Sequence, residues 1–233
     1  MSYVRLICFC VLFLACEDKK SSQQIPLKDP DTTVITETKK EKPNKPDREF
    51  PKLNSKNAMD FFLEYDKEHK EDKIRITTSM GIIDVQLFET TKFHRSNFIF
   101  LTKQGYFDGT QFHRVVKNFI IQGGSTDNPK IGKRRRYIGK YLLPPDTKRG
   151  FKHHRGVISM PSSEIENAYK LASPYEFFIV QNPKGAYHLD GKYTAFGKVI
   201  RGMDVVDKIN NVKTDRSDWP MTNVYITNVE ILD

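Results

Sequence analysis

Apolar and polar residues alternate in two short segments of the chain, residues 74–78 and 82–88. The residues that share the predicted buried faces are Ile74, Ile76, Ile83, Val85 and Leu87. A period of two is typical of a β-strand with one buried face, because successive side chains point to opposite sides of the strand. Residues 79–81 include a glycine suited to a tight turn, so the pattern predicts a β-hairpin.

The pattern changes to a helical period directly after this hairpin. Thr90 or Thr91 is suited to cap a helix that ends near Gly105, because Thr is favoured at N-caps and glycine at helix ends. The predicted buried face consists of Phe93, Asn97, Phe98 and Leu101. A short second helix is predicted near residues 204–210.

Six further short segments have the apolar content of β-strands. They are residues 111–116, 119–122, 157–160, 176–180, 194–199 and 224–232. Many short strands with only two or three helices favour a β-barrel over a βαβ fold. The fold class is therefore predicted to be mainly β.

A further helix is predicted before the hairpin, within residues 54–72. Its predicted N-cap is Ser55, and its apolar face up to His69 consists of Ala58, Met59, Phe62 and Tyr65. The polar face carries acidic residues, where anionic lipid would require Lys or Arg: Asp60, Glu64, Asp66 and Glu68. We therefore expect this helix to pack on the domain, and a membrane-surface helix is the weaker alternative.

The first residues of the chain have the order of a secretion signal. Arg5 precedes an apolar run over residues 6–15, which is too short to span a bilayer. Cys16 follows at once, and the segment resembles the lipidation signal of bacterial lipoproteins. This resemblance implies a signal peptide over residues 1–15, a lipid on Cys16 and a membrane-anchored protein of the bacterial cell envelope. An ordinary signal peptide cleaved nearby is the alternative.

Residues 16–53 are predicted to be the lipidated cysteine and a disordered tether. Five prolines and few large apolar side chains occur in this stretch, so it cannot bury enough surface to offset its ordering entropy. Residues 73–233 remain as the main domain.

The charge of the chain is concentrated in one region. Of 233 residues, 38 are Lys or Arg and 29 are Asp or Glu, and residues 130–155 contain ten of the basic residues against Asp146 alone. We interpret this region as a solvated surface loop, with attraction of acidic clients or anionic lipid as the alternative. No nucleic-acid motif accompanies the charge, so no nucleic-acid partner is expected.

Cysteine chemistry and a metal site are both expected to be absent from the domain. All three cysteines, Cys8, Cys10 and Cys16, lie in the N-terminal segment, which excludes disulfides and thiol catalysis in the domain. His153 and His154 invite a metal, but adjacent residues on a strand point to opposite faces. No metal site is expected.

Two blocks in the middle of the chain, residues 105–116 (GYFDGTQFHRVV) and 119–124 (FIIQGG), closely resemble the signature of cyclophilins. Cyclophilins are peptidyl-prolyl cis-trans isomerases. Further blocks follow in the order of that family: RGVISM at 155–160, FFI at 177–179, LDGKYTAFGKV at 189–199 and GMDVV at 202–206. Several blocks at compatible spacing are far more specific than any one of them.

The resemblance implies a closed eight-stranded antiparallel β-barrel capped by two helices, to which the N-terminal helix is an addition. It implies a monomer without cofactor that acts on proline-containing peptides and unfolded exported proteins. Arg114 is implied as the catalytic cation, and Gln122 as a catalytic polar group that steadies Arg114 and the substrate carbonyl. The implied substrate-binding residues are His113, Phe119, Ile120, Phe178, Leu189 and Tyr193.

The chain departs from the family pattern at several positions. Ile120 stands where many members carry Met, Tyr193 where many carry His, and Glu176 where Gln is usual. Pro161-Ser162-Ser163 and the longer segment 164–174 replace a stretch whose backbone contacts the peptide, so subsite preference is open. A binding module without useful turnover and a lipid-anchored surface interaction protein remain as alternatives to the enzyme.

Overall fold

The computed structural model describes residues 48–162 and 167–232. In chain order its elements are β1 (Leu53–Asn54), α1 (Ala58–Glu68), β2 (Lys73–Thr78), β3 (Gly81–Leu87), α2 (Lys92–Lys103), β4 (Thr110–Val116), β5 (Ile120–Ser125), α3 (Pro129–Ile138), β6 (Gly139–Lys140), β7 (Val157–Ser159), β8 (Phe177–Val180), β9 (Ala195–Arg201), α4 (Met203–Asn210) and β10 (Val224–Leu232). The predicted signal peptide, Cys16 and most of the predicted tether lie outside the described residues.

Eight of the strands close into a barrel in the order β10-β2-β3-β9-β7-β8-β5-β4. Every neighbouring pair in the barrel is antiparallel. The predicted mainly β fold and closed antiparallel barrel are thus confirmed, and the eight predicted strands are its members. The predicted hairpin is the pair β2 and β3, in which Thr78 lies opposite Gly81.

Strand alternation sends one set of apolar side chains into the barrel. Ile74, Ile76, Val85, Ile121 and Ile179 belong to the main core cluster. Burial of such side chains stabilises the fold by about 1.5–3 kcal/mol each. Helices α2 and α4 supply the predicted capping layer.

Helix α2 is buried on more sides than its predicted single face. All nine residues from His94 to Thr102 are buried. The reason is helix α1, whose Phe61, Phe62 and Tyr65 rings lie 5.1–5.9 Å from the ring of Phe100 on α2. The N-terminal helix therefore packs on the domain.

Two details of helix α1 correct the sequence-based expectation. The N-cap is Asn57 and not Ser55, and it makes no side-chain capping hydrogen bond. Asp66, which was expected on an exposed polar face, is only 3% exposed. It lies buried because Arg95 and Ser96 on α2 donate hydrogen bonds to its Oδ1.

The folded unit begins earlier than the predicted boundary between tether and helix. Phe50 and Leu53 are buried members of the core cluster, although both fall within the expected tether over residues 16–53. Leu53 also pairs with Gly139 in the short parallel sheet of β1 and β6. These contacts connect residues far apart in the chain, so no local pattern could predict them.

The basic region over residues 130–155 contains a helix, which corrects the expectation of a loop. Asn128 caps α3, since its side chain accepts a hydrogen bond from the backbone N–H of Lys130, and Pro129 begins the helix. The buried residues of α3 are Ile131 and Ile138, seven positions apart. Such a sparse apolar pattern is too weak to predict a helix.

The structure gives a different reason for doubting a metal at His153 and His154. Neither residue lies in a strand. His153 is buried and contacts Asp190 and Ser159, whereas the Nδ1 of His154 contacts the Tyr187 hydroxyl. Within residues 48–162 and 167–232, no helix has the length and apolar content needed to cross a membrane.

Candidate active site

A separate apolar cluster lies beside the barrel core. Along β5 and β8, Ile121 and Ile179 belong to the core, whereas Ile120 and Phe178 point the other way and form a second cluster. The partly buried side chains packed on it include Phe119, Leu189 and Tyr193. Strand alternation therefore produces both the interior of the barrel and an apolar patch outside it.

A cavity of about 340 Å³ opens at this second cluster. Its lining residues are Arg114, Phe119, Ile120, Gln122, Pro161, Ser162, Phe178, Leu189 and Tyr193. The cavity thus brings together seven of the eight predicted site residues. The eighth, His113, does not line it but contacts Gln122, with 3.4 Å between His113 Nε2 and Gln122 Nε2.

The strand register explains why the polar and apolar residues meet. Arg114 on β4 lies opposite Gln122 on β5, and Gln122 lies opposite Phe178 on β8. These three residues therefore form one row across three adjacent strands. The strand pairing therefore places a cation, an amide and an aromatic ring side by side.

The rings around the cavity hold one another in place. Phe119 stacks on His188 with 5.2 Å between ring centroids, and Phe178 meets Tyr193 edge-on at 5.8 Å. Such pairs stabilise by about 0.5–1.5 kcal/mol beyond the area that they bury. The apolar wall is therefore preorganised for a small ring.

Arg114 is oriented by a residue far along the chain. Its Nη2 lies 3.2 Å from Oδ2 of Asp218, and the two side chains are 42% and 39% exposed. The backbone carbonyl of Asp218 also accepts a hydrogen bond from the N–H of Val115. The loop that carries Asp218 thus holds the guanidinium while leaving much of it accessible.

The Gln122 side chain makes its hydrogen bonds with Glu176 and His113 and not with Arg114, which corrects the expectation that Gln122 steadies Arg114. Its Nε2 donates instead to Oε2 of Glu176 at 2.9 Å. The Nε2 of His113 lies 3.5 Å from the same carboxylate oxygen. Burial acts to raise the pKa of Glu176, but the contacts with His113 and Gln122 outweigh it and hold that pKa below its ordinary value.

The family of the chain follows from comparison with known proteins. The model of the cyclophilin type peptidyl-prolyl cis-trans isomerases matches residues 73–231. The chain belongs to the cyclophilin family. Residues 73–231 contain every residue of the cavity and all of the barrel strands except the last residue of β10, whereas α1 and β1 precede this cyclophilin domain.

Similar curated proteins come from eukaryotes. This cyclophilin is 38% identical over 169 residues to "Peptidyl-prolyl cis-trans isomerase-like 2" of Rhizopus delemar, a match that covers 72% of this chain and 30% of that protein. It is 35% identical over 161 residues to "Peptidyl-prolyl cis-trans isomerase-like 1" of Homo sapiens, covering 66% of this chain and 88% of the relative. The match therefore spans less than a third of the first relative and most of the second.

Solved structures share the cyclophilin fold. A cyclophilin type isomerase of Cryptosporidium parvum superposes with a TM-score of 0.58 at 27% identity, covering 70% of this chain and 98% of that one. A second structure of that protein, determined in the presence of the dipeptide Ala-Pro, gives a TM-score of 0.57 at 28% identity and covers 69% of this chain and 99% of that one.

Sequence reasoning missed two residues that position this cyclophilin site. Asp218 contacts Arg114 from 104 residues away. Asn210, at the end of α4, donates from Nδ2 to the carbonyls of Val116 and Ile120 and so holds the β4–β5 turn that carries Phe119. Nothing near either residue in the sequence indicates these contacts.

A larger cavity of about 530 Å³ adjoins the site. Its lining includes Met59 of α1, the cations Arg135 and Lys140, and Glu176. Because Glu176 contacts Gln122, the two cavities meet at this pair. The additional N-terminal helix of this cyclophilin therefore reaches the neighbourhood of the site.

Proposed function

We propose that this protein is a peptidyl-prolyl cis-trans isomerase that accelerates rotation about Xaa-Pro bonds. The observation that carries the proposal is the presence of Arg114 in the same cavity as Phe119, Ile120 and Phe178. An apolar pocket suits a proline ring, and a cation beside it can act on the bond that rotates. Membership of the cyclophilin family supports the same function.

The chemical task is to weaken amide conjugation. Partial double-bond character gives a peptide bond a rotation barrier of about 20 kcal/mol, and Xaa-Pro bonds isomerise over tens of seconds or longer. As the bond twists, the prolyl nitrogen becomes pyramidal and gains a lone pair that accepts a hydrogen bond. A donor placed there stabilises the twisted state more than either planar state, and so lowers the barrier.

Arg114 is the donor that the cavity provides. A guanidinium has five N–H groups and stays charged at all physiological pH values, and Asp218 restricts its orientation. Acceleration by about four decades requires about 5.5 kcal/mol, which a charged hydrogen bond, a fitted ring pocket and fixed orientation can supply together. Rotation moves no proton and no electron, so this chemistry requires no cofactor.

The decisive experiment compares the protein with its Arg114→Ala variant. Exchange between cis and trans forms of a short Xaa-Pro peptide is measured by NMR, without a coupled protease. We expect a loss of about a hundredfold or more in kcat/KM, because one transition-state donor is removed. Stability should change by only about 0–1 kcal/mol, since the Arg114–Asp218 pair is half-exposed.

Arg201→Ala is the matched control, because Arg201 is an exposed arginine on β9 with a side chain 70% exposed. It should retain full activity. If the folded wild type binds the peptide without accelerating exchange, the catalytic function is wrong and the binding-module alternative stands. Pro161 in the cavity wall is the feature that favours this alternative, since proline lacks a backbone donor.

We further propose that the isomerase acts on exported proteins from a lipid-anchored position in the bacterial cell envelope, as a folding helper. The support comes from the sequence: Arg5, the apolar run over residues 6–15 and Cys16. The proposed anchor at Cys16 lies outside residues 73–231, which the family model matches.

A further inference from the structure

We propose that Glu176 fixes the direction of the Gln122 amide, so that Gln122 presents its carbonyl oxygen to the bound peptide and accepts a backbone N–H beside the proline. Glu176 is then a positioning residue, because it acts through Gln122. The inference rests on the proposed function only in taking a proline-containing peptide as the ligand. It reverses the sequence-based expectation that Gln122 donates to a substrate carbonyl.

The geometry starts from two adjacent strands. Gln122 on β5 lies opposite Phe178 on β8, and Glu176 precedes β8 directly. The Oε2 of Glu176 is 2.9 Å from Nε2 of Gln122. Glu176 lines the larger cavity and Gln122 the smaller one, so their contact lies between the two.

The chemistry of the carboxylate decides which end of the amide faces it. An ionised carboxylate only accepts hydrogen bonds, whereas the two ends of a glutamine amide differ, one donating and one accepting. Turning the Gln122 amide around would place two acceptor oxygens against each other in a partly buried site. The donor end of Gln122 is therefore committed to Glu176.

His113 reinforces this orientation in either of its forms. With an unprotonated Nε2, His113 accepts from the second N–H of Gln122 across 3.4 Å. With a protonated Nε2, it donates to Glu176 across 3.5 Å and so favours the ionised carboxylate that Gln122 faces. Both arrangements leave the Gln122 amide nitrogen on the side of Glu176.

Glu176 is ionised at neutral pH and therefore only accepts hydrogen bonds. Burial acts to raise its pKa, but contacts with His113 and Gln122 and the charge of Arg135 lower it below the ordinary value. A usual glutamine at position 176 could donate or accept, and would leave the Gln122 amide able to turn. The carboxylate removes that freedom.

The cavity therefore offers the peptide backbone two groups of opposite kind. Arg114 can only donate, and Gln122 offers the acceptor oxygen that remains after its amide nitrogen binds Glu176. Within residues 48–162 and 167–232, the hydrogen bonds of the Gln122 side chain involve its nitrogen. Proline itself has no N–H, so the recognised donor belongs to the residue before or after it.

The test measures the affinity of three matched peptides for the full-length protein by NMR titration. The first peptide contains an Xaa-Pro bond and only ordinary amides. In the second, an ester oxygen replaces the backbone N–H of the residue before proline, and in the third it replaces the N–H of the residue after proline. We expect one ester to bind the wild type about fivefold more weakly, the effect of one lost hydrogen bond. In Glu176→Gln this difference should fall below about twofold, since the Gln122 amide can then turn its N–H toward the ester.

Glu230→Gln is the matched control, because it removes the same charge from an exposed position on β10. It should discriminate between amide and ester like the wild type. Gln122→Leu keeps Glu176 but removes the acceptor, so it should lose the discrimination as well. Circular dichroism and thermal unfolding check that each variant folds.

Equal binding of all three peptides to the wild type overturns the inference, without reference to any variant. Undiminished ester discrimination in a folded Glu176→Gln variant also overturns it. Because affinity is measured and not turnover, the result is independent of whether the protein catalyses rotation. Failure of the proposed catalysis would appear only in the exchange rates.

Discussion

Asp66 is a charged residue that the fold buries between two helices. Its Oδ1 accepts hydrogen bonds from Arg95 and Ser96 on α2, and its Oδ2 from Lys70. The Arg95 side chain is itself only 3% exposed. The charges of Asp66 and Arg95 therefore compensate each other in a buried site, and removal of the Asp66 charge leaves the Arg95 charge buried without that partner.

We expect Asp66→Asn to lower the free energy of unfolding by about 3 kcal/mol at pH 7. The measurement is urea unfolding monitored by circular dichroism. Asp60→Asn, which changes an exposed acid on the same helix, is the control and should stay within about 0.5 kcal/mol of the wild type. Equal stability of the two variants would contradict a role for the buried pair.

The pair also predicts a pH dependence. Burial acts to raise the pKa of Asp66, but hydrogen bonds from Lys70, Arg95 and Ser96 lower it below its ordinary value. A pKa lower in the folded than in the unfolded state stabilises the fold above the unfolded value of about 4. The difference between wild type and Asp66→Asn should therefore be full at pH 7 and shrink as the pH falls below about 4.

The short parallel pairing of β1 with β6 depends on one residue, Gly139. Gly139 has a φ of +144°, a value that other residues rarely adopt, and a Cβ added there would overlap the carbonyl oxygen of Leu53. Leu53 is the strand partner of Gly139. The close approach of the two backbones is possible only because Gly139 has no side chain.

Gly139→Ala is expected to lower the free energy of unfolding by about 2–4 kcal/mol, because β1 must move away from β6. Gly150→Ala is the control: its φ is +82°, but nothing lies within 4 Å of the added Cβ, so about 1 kcal/mol of backbone strain is expected. Thermal unfolding of both variants measures the difference. A Gly139→Ala protein as stable as the control would show that the pairing contributes little.

At the level of elements, prediction succeeded where the periodic signal was dense. The hairpin strands β2 and β3 alternate over several residues, strands such as β7 and β8 are short apolar runs, and all eight barrel strands were predicted. Helix α3 was missed because Ile131 and Ile138 are its buried residues and five cations occupy most of its remaining length. A local cue was present, since Asn128 and Pro129 form a typical helix start.

For the molecule as a whole, the proposed lipid anchor predicts that the protein partitions into membranes and detergent. One acyl chain binds a membrane reversibly, whereas several together hold a protein stably. When expressed with export in a bacterium, the wild type should enter the detergent phase of a phase-partition assay. Cys16→Ser should move to the aqueous phase with unchanged isomerase activity.

Cys10→Ser is the control for this prediction, since Cys10 lies within the apolar run and would be removed with the signal. It should partition like the wild type. Recovery of the wild type from the aqueous phase would favour the ordinary signal peptide that remains the alternative.

By itself, the sequence determined the class of fold and the identity of most cavity residues. Alternation marks strands because it is a local consequence of backbone geometry, and the motifs around Arg114 and Phe119 identify both as cavity residues, Arg114 on β4 and Phe119 in the turn before β5. The tertiary structure alone decided what those residues contact. Glu176 meets Gln122 across 54 positions, Asp218 meets Arg114 across 104, and Arg95 meets Asp66 across 29. Such contacts depend on how the barrel closes and its helices pack, which no local pattern encodes.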